Sequence, residues 1–334
     1  MNLHNRCAVS ESERSINHTK RRIAKYAKSL GFDLVGFTPA RINPKALTAY
    51  KSWLSQGKNA DMAYLEKIEP RADLTLLLPN AKSVVVLATN YYRPKPPLPK
   101  NHGSIARYAY GTDYHIALKE PLEKLETYIQ SLAPNTQTRS FTDSAPILER
   151  TLAIQAGLGQ LGKNSTLITP QFGSWIFLSE ILTTLDLNSV PGQDSNLKIC
   201  KNCNICIKSC PANAITPNGQ IDARRCLSYL TIEHKGPLPK SAHTPLRQTR
   251  TLFGCDICQQ VCPQNKLRQK DISPPKRHDT VMTKPRKNNP IHTALNHKIA
   301  GHSILLTKIP KNFKNSPLQR TKHEGLTRTA KILT

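Results

Sequence analysis

The sequence lacks the long apolar runs that membrane proteins need. Hydrophobic residues make up 38% of its 334 residues, and they are dispersed along the chain. No stretch approaches the run of about eighteen apolar residues that a spanning helix requires. Residues 1–20 are polar and lack the apolar central region of a secretory signal peptide. We therefore expect a cytoplasmic protein that does not associate with a membrane.

Acidic side chains are also scarce. The chain has 22 Asp and Glu against 48 Lys and Arg, which gives a net charge of +26 and an isoelectric point near 9.9. Residues 271–334 contain 13 of these basic residues and 3 of the acidic ones, so a basic tail explains part of the excess. The remainder favours a polyanionic partner, most simply a nucleic acid, because neutralised phosphates release counterions. The alternative explanation is that the proteins of the source cell are basic in general, in which case the charge does not indicate a partner.

Cysteines are concentrated in one segment. Eight of the nine lie between residues 200 and 262, and we expect no role for the ninth, Cys7. The first four follow the spacing C-x2-C-x2-C-x3-C and precede a proline, a pattern typical of bacterial two-cluster ferredoxins. The other four comprise an isolated cysteine and a C-x2-C-x3-C run that also precedes a proline.

Disulfides, zinc and inert buried thiols are the alternatives to iron–sulfur clusters. Disulfides are disfavoured because the chain is long enough to build a core without them. Zinc does not require the additional cysteines of each run or the prolines that follow. Two cubane clusters need eight thiolates, three from each local run and one contributed by the other half. In that arrangement one cluster is held by Cys200, Cys203, Cys206 and Cys262, and the other by Cys210, Cys226, Cys255 and Cys258.

The periodicity before the cysteines predicts alternating helices and strands. Helices are expected over residues 20–30, 45–56 and 116–132, the last capped by Thr112 or Asp113. Strands are expected at 32–37 and at 83–88, where a continuous apolar run predicts burial on both faces. This alternation indicates a mixed fold of class α/β (α+β).

Composition divides the chain into four parts. A polar tail covers residues 1–19, a first domain covers 20–195, a cluster domain covers 196–270 and a basic tail covers 271–334. The basic tail shows little apolar periodicity, and we expect it to be a solvated, flexible end.

Residues 104–115 are dense in side chains that can bind a ligand, among them Arg107 and Tyr108. Asp113 and His115 begin a D-x-H-x-x-G pattern, which supplies a cobalt-ligating histidine in some cobalamin proteins. Leu118 stands in place of the glycine. This substitution disfavours a histidine on cobalt and leaves helix capping as the simpler interpretation.

Two further features stand between this segment and the cysteines. Asp143 ends a short predicted strand ahead of a helix, where it either projects into a crevice beside the sheet or caps the helix. The glycine string G-x-G-x-x-G at 157–162 precedes Lys163 and Asn164. Because the string follows a predicted helix rather than a strand, a dinucleotide-binding loop is disfavoured. A turn that lets the backbone approach a large flat ligand is favoured.

The chain resembles the epoxyqueuosine reductase family over about residues 20–266. The resemblance rests on collinear motifs, namely LGFDLVGF, IARYAYGTDYH, FTDSAPILER, AGLGQLGKNSTL, GSWIFLSEI, the cysteine run, DARRCLSYLTIEHKG and GCDICQQVCPQNK. That family removes the epoxide oxygen of epoxyqueuosine at the wobble position of tRNA, which is the last step in making queuosine. It uses cobalamin and two [4Fe-4S] clusters.

The resemblance implies the fold and the roles of particular residues. It implies a cobalamin-binding domain like that of reductive dehalogenases and nitroreductases, followed by a ferredoxin-like domain. Asp143 is implied as the proton donor. The cobalamin is implied to be base-off, without a protein histidine on cobalt. The cofactor pocket is implied to include Arg107, Tyr108, Gly162, Lys163, Asn164, Ser228 and Tyr229.

The resemblance further implies a monomer whose partners are tRNAs with a GUN anticodon, specific for Asp, Asn, His or Tyr, and an external electron donor of ferredoxin or flavodoxin type. Gln160 and Ser179 depart from the family's usual aromatic residue and glycine, and residues 315–330 resemble a degenerate copy of its terminal helix. A corrinoid iron–sulfur reductase of a small molecule and a non-catalytic electron carrier of ferredoxin type are the alternative functions.

Overall fold

A four-stranded antiparallel sheet organises the first half of the chain. The computed structural model describes residues 11–187, 199–266, 289, 291–292, 295 and 302–334. With elements numbered along the chain, the strands are β1 (Leu34–Pro39), β2 (Ser83–Asn90), β4 (Thr138–Phe141) and β7 (Ile176–Thr183). Their order across the sheet is β1-β2-β7-β4, so β2 and β7 are central.

Helices cover both faces of this sheet. On one face, α1 (Glu11–Leu30) and α4 (Tyr114–Gln130) contribute Ile23 and Leu125 to an apolar cluster that includes Leu87 of β2. On the other face, α2 (Pro44–Ser55) and α5 (Glu149–Gln155) pack against a cluster that includes Val86 of β2. Successive side chains of a strand point to opposite faces. The continuous apolar run in β2 therefore reflects burial on both sides.

A smaller sheet joins three distant parts of the chain. β3 (His102–Ile105) pairs in parallel with β8 (Thr251–Phe253) and antiparallel with β9 (Ser303–Leu305). The last described helix, α10 (Lys322–Leu333), packs on this sheet through Leu326 and Ala330.

The cysteine segment contains four short helices. These are α6 (Ile205–Lys208), α7 (Leu227–Ile232), α8 (Lys240–Thr249) and α9 (Ile257–Gln260). α6 contacts α9, which brings the first cysteine run beside the second. A two-stranded hairpin, β5 (Gln160–Leu161) and β6 (Leu167–Ile168), follows α5, and the short α3 (Glu69–Ala72) precedes β2.

The structure confirms the mixed fold class, with the first sheet antiparallel throughout. α4 begins where expected, because the Asp113 side chain accepts a hydrogen bond from the backbone N–H of His115. Ser179, the departure from the family's glycine, is buried and shares a 2.8 Å hydrogen bond with the hydroxyl of Thr142. No helix among the described residues is long and apolar enough to cross a membrane.

Two expectations differ from the structure. α1 starts at Glu11, well inside the segment predicted as a polar tail, and Glu11 and Glu13 lie in its first turn, where acidic side chains favour a helix. The basic tail was expected to be flexible, but its part from 302 to 334 is folded, and Ile304 and Leu318 are buried against the smaller sheet. Cys7 and residues 271–288 lie outside the described residues.

Candidate active site

A cavity of about 660 Å³ lies where β7, the start of α4, α7 and the loop before α10 meet. Its volume is within the usual range of small-molecule sites. The residues that line it are Tyr64, Tyr91, Tyr108, Asp113, Tyr114, His115, Asp143, Glu149, Ile176, Phe177, Leu178, Ser228, Ile232, Glu233, Pro317, Gln319 and Arg320.

Asp143 lies in the loop after β4 and lines this cavity. Its backbone has φ of +47°, which non-glycine residues rarely adopt. Two contacts hold it there. The backbone N–H of Asp143 donates to Oε1 of Glu149 at 2.7 Å, and the hydroxyl of Tyr114 donates to Oδ2 of Asp143 at 2.6 Å. The side chain is exposed, so Asp143 can meet a ligand directly.

Two carboxyl groups stand behind Asp143. Burial raises the pKa of Glu149, and the neighbouring Asp143 carboxylate raises it further. Glu180, on β7, is fully buried, and its oxygens have no hydrogen-bond partner among the described residues. Burial, with Glu149 nearby, raises the pKa of Glu180 well above its ordinary value. A buried carboxyl without a cationic partner is stable only when neutral, so we infer that this pair carries protons at neutral pH.

Aromatic rings form one wall of the cavity. The rings of Tyr114 and Phe177 are stacked with centroids 4.3 Å apart, and Tyr108 contacts Tyr114 edge-on at 6.3 Å. Burial and the charge of Asp143 raise the pKa of Tyr114, so its hydroxyl remains a hydrogen-bond donor. His115 stacks on Tyr114 at 4.2 Å, and its ring nitrogen Nδ1 lies 2.7 Å from Oδ1 of Asp113. Such a wall suits a flat ligand.

The opposite side of the cavity includes the tail. Arg320 forms an ion pair with Glu233 at 3.0 Å and lies over the ring of Tyr64 at 5.8 Å. No sequence signal singles out these residues, because they come from three distant segments. Glu180, in contrast, had a visible signal: it is the one acidic residue within the apolar stretch 174–185 before Asp186.

Two of the predicted cofactor residues, Tyr108 and Ser228, line the cavity. Two others are engaged elsewhere. The side chain of Arg107 is buried, and its Nη1 lies 3.2 Å from Oδ2 of Asp256. The hydroxyl of Tyr229 donates to Oδ2 of Asp61 at 2.6 Å. These contacts give Arg107 and Tyr229 structural partners away from the cavity lining.

The glycine turn faces the cysteine segment. Nζ of Lys163 donates to Oδ1 of Asn204 at 2.8 Å, and Nδ2 of Asn164 donates to the carbonyl of Cys258 at 3.5 Å. A Cβ on Gly162 would lie 2.6 Å from Oδ1 of Asn164 and 2.6 Å from Cδ1 of Ile168, so these two side chains pack closely on the glycine. Gly162, Lys163 and Asn164 therefore lie beside the cysteines, not among the described residues that line the cavity.

We treat the eight cysteines as the two sets of four that their spacing along the sequence predicts. Burial raises the pKa of Cys206, and Cys200, Cys262 and Cys203 raise it further. We call these four residues the outer group. Burial also raises the pKa of Cys258 strongly, with Cys255, Cys226 and Cys210 among the thiols that add to it. We call these four the inner group, and Cys206 of the outer group also acts on Cys258.

The spacing within these groups bears on the metal. No three His, Cys, Asp or Glu side chains in the described part of the chain lie close enough to hold a single metal ion. The choice between zinc and a cluster therefore rests on the spacing of the cysteines along the sequence, which favours a cluster.

The inner group adjoins the cavity. The hydroxyl of Tyr91, which lines the cavity, contacts Oε1 of Gln259 on α9 at 3.5 Å. Burial raises the pKa of Tyr91 strongly, and the charges of Asp256 and Cys258 add to the effect. Ser228, which also lines the cavity, follows Cys226 by two residues on α7. A redox centre at the inner group would thus be separated from a ligand in the cavity by little more than one side chain.

Family models match both parts of the chain. The model described as epoxyqueuosine reductase QueG, DUF1730 matches residues 71–144, and the model of a 4Fe-4S double cluster binding domain matches residues 199–265. The curated epoxyqueuosine reductase of Cyclobacterium marinum is 36% identical over 309 residues, which cover 92% of this chain and 94% of that protein.

Solved structures agree with the sequence matches. A crystal structure of an epoxyqueuosine reductase with an epoxyqueuosine-modified tRNA-Tyr stem loop is 29% identical, with a TM-score of 0.79, and covers 95% of this chain and 81% of that one. A Bacillus subtilis epoxyqueuosine reductase, solved with its catalytic aspartate loop swung out of the active site, has a TM-score of 0.76 at the same identity and coverage. The chain therefore belongs to the epoxyqueuosine reductase family.

Proposed function

We propose that this protein reduces epoxyqueuosine to queuosine at the wobble position of tRNA. The observation that carries the proposal is the position of Asp143, which lines a cavity together with Tyr91 and Ser228, two residues that adjoin the segment of the inner cysteine group. An acid and a source of single electrons thereby face the same space. The relative solved with a modified tRNA stem loop supports the choice of substrate.

The reaction fixes what the site must supply. Removing the epoxide oxygen breaks two C–O bonds, forms a C=C bond and releases water, which requires two electrons and two protons. An oxygen that leaves carbon must be protonated, and a positioned carboxylic acid can do this. We assign this role to Asp143, whose Oδ2 is fixed by the hydroxyl of Tyr114.

The surroundings of Asp143 suit repeated proton delivery. Glu149 and Glu180 lie behind it with raised pKa values, so both retain protons at a pH where an exposed carboxylate would not. The positive φ of Asp143 places it on a tightly turned loop. The Bacillus subtilis relative, described with its catalytic aspartate loop swung out, supports a catalytic aspartate on a movable loop.

Cobalamin is the cofactor that we propose for the cavity, in its base-off form. The flat aromatic wall of Tyr108, Tyr114 and Phe177 fits a corrin ring, and Ser228 offers a hydroxyl at its edge. When bound, cobalamin supplies a cobalt centre that exchanges single electrons. The absence of a protein histidine on cobalt is proposed because Leu118 stands in place of the glycine of the D-x-H-x-x-G pattern.

We propose that the two cysteine groups hold the two [4Fe-4S] clusters. The outer group would comprise Cys200, Cys203, Cys206 and Cys262, and the inner group Cys210, Cys226, Cys255 and Cys258. The match to a double cluster binding domain over residues 199–265 supports this assignment. In the same proposal, residues 20–195 form the cobalamin-binding domain and residues 196–270 the cluster domain.

The substrate would be a tRNA with a GUN anticodon, acted on in the cytoplasm by a monomeric protein. The net charge of +26 favours contact with the phosphates of the anticodon arm. A wobble base in a single-stranded loop can be turned out of its stack and placed in a pocket.

The experiment that tests the function is a digest of tRNA from cells that lack the gene, analysed by mass for queuosine and epoxyqueuosine. Epoxyqueuosine should accumulate, and the restored gene should remove it, whereas a gene encoding Asp143→Asn should not. Normal queuosine in cells without the gene would contradict the proposal.

A further inference from the structure

The loop around Cys200 and Cys203 lies at the protein surface. Lys201, Asn202, Asn204 and Ile205 are all exposed, and the large apolar side chain of Ile205 is 43% exposed. This loop carries Cys200 and Cys203 of the outer cysteine group. The cavity residues Tyr91 and Ser228 adjoin the inner group instead.

A second exposed apolar side chain stands close by. Leu161 on β5 is 54% exposed, and it precedes Lys163 by two residues. Nζ of Lys163 donates to Asn204, the residue before Ile205, and contacts the carbonyl of Lys201 at 3.5 Å. The hairpin and the cysteine loop therefore form one surface, which we call the outer patch: Leu161, Lys163, Lys201, Ile205 and Lys208.

The outer patch is basic. From residue 199 to 221 the cysteine segment contains Lys201 and Lys208 and no acidic residue. Across residues 199–266, nine Lys and Arg stand against three Asp and Glu. One of those three, Asp256, is buried beside Arg107, so it adds little to the surface potential.

The position of the two cysteine groups assigns a direction to electron flow. Two cavity residues lie next to the inner group: Tyr91 contacts Gln259, which follows Cys258, and Ser228 follows Cys226 by two residues. Electrons must therefore enter at the other end, where the outer group meets solvent beside Cys200 and Cys203. Weak electron-transfer complexes have small interfaces, and complementary charge raises their association rate.

We propose that the outer patch is the docking surface for an acidic one-electron carrier protein of flavodoxin type. The exposed Leu161 and Ile205 would form its small apolar centre, and the lysines would form its charged rim. Each encounter would oxidise the carrier by one electron and reduce the outer cluster by one, so two encounters supply one epoxide reduction. The inference rests on the proposed function only in requiring the two clusters.

A nucleic acid is the competing partner for a basic surface. The outer patch, however, is separate from the cavity that must receive the wobble base, since none of its residues is among those that line the cavity. It also places two aliphatic side chains, and no exposed aromatic ring, among its lysines. Single-stranded RNA is commonly held by stacking on aromatic or arginine side chains, so a carrier protein fits better.

The test uses the cluster-loaded protein with Lys201→Glu and Lys208→Glu combined. A matched control reverses two exposed charges on α1, Arg22→Glu and Lys25→Glu. We expect the patch variant to bind a reduced acidic flavodoxin about tenfold more weakly at low salt and to have its clusters reduced correspondingly more slowly. The control variant should bind flavodoxin, and be reduced by it, as the parent protein is. Dithionite should reduce all three proteins at equal rates.

Each outcome either supports or contradicts the docking proposal. If the patch variant and the parent are reduced by flavodoxin at equal rates, the docking proposal is wrong. If the patch variant instead loses affinity for a tRNA anticodon stem loop, the outer patch is an RNA surface. Both measurements are made without epoxyqueuosine, so they stand even if the proposed substrate is wrong, and the tRNA digest tests that substrate separately.

Discussion

Replacing Asp143 with Asn is the sharpest change that the site offers. The amide has nearly the same shape as the carboxyl group, and its oxygen can still accept the 2.6 Å hydrogen bond from Tyr114. The backbone N–H of Asp143 still donates to Glu149. The variant should therefore keep its loop, its clusters and its affinity for tRNA while losing the acidic proton.

The expected loss follows from general acid catalysis, which contributes about 10²–10⁴ in rate. At 1.36 kcal/mol for each factor of ten, this corresponds to about 2.7–5.4 kcal/mol of the barrier. A single-turnover assay with an epoxyqueuosine-containing stem loop and excess reductant measures the chemical step directly. Mass analysis of the digested RNA then gives the fraction of queuosine formed with time.

Tyr114→Phe is the matched control, because it removes the hydrogen bond to Asp143 and leaves the acid in place. Its expected loss is about 10- to 150-fold, since a hydrogen bond to a charged group contributes about 1.5–3 kcal/mol and each 1.36 kcal/mol is a factor of ten. An Asp143→Asn protein that turns over at the parent rate would remove Asp143 from the mechanism. A loss explained wholly by weaker RNA binding would make it a binding residue instead.

Three further predictions concern stability and metal content. Because burial raises the pKa of Glu180, the folded state holds its proton above the ordinary pKa of a carboxyl group, and stability declines as pH rises from that ordinary value through the folded pKa. Glu180→Gln should flatten this decline, measured as denaturant midpoints across that pH range. Arg107→Ala should lower the free energy of unfolding by about 3–5 kcal/mol, since the buried Asp256 carboxylate loses its guanidinium partner and keeps only the hydrogen bond from the backbone N–H of residue 107. Arg320→Ala, whose guanidinium is largely exposed, should lower it by about 1 kcal/mol or less. Cys258→Ser should reduce iron from about eight to about four atoms per chain by elemental analysis, and an unchanged iron content would contradict its assignment as a ligand.

Elements with a strong local signal could be predicted from the sequence. β2 follows from its continuous apolar run, and α4 follows from its apolar spacing and from Asp113 as its cap. α1 was predicted too short, because its first ten residues are mostly exposed and carry no apolar stripe. α7 starts only at Leu227, because Cys226 before it has an extended backbone.

The site was predictable only in part, because a cavity is built by residues that the sequence separates. Asp143 stood out by its position after a strand, whereas Arg320 and Glu233 meet only through the folding of the tail. Family resemblance placed Arg107 at the cofactor, yet its charge is directed at Asp256 in the interior. A sequence motif identifies which residues belong together, but not which way each side chain points.

The smaller sheet has a consequence for the order in which the protein assembles during synthesis. β3 pairs with both β8 and β9, so the sheet cannot be completed until residues 303–305 have left the ribosome. The cysteine segment leaves the ribosome before them. At that stage the loop at Pro317 and α10 have not yet packed against the rest of the chain. Iron and sulfide therefore have an interval in which to reach the thiols before the last segment packs over Leu252 and Phe253. A chain that stopped before Ser303 would leave those two side chains exposed, and we expect such a nascent product to aggregate.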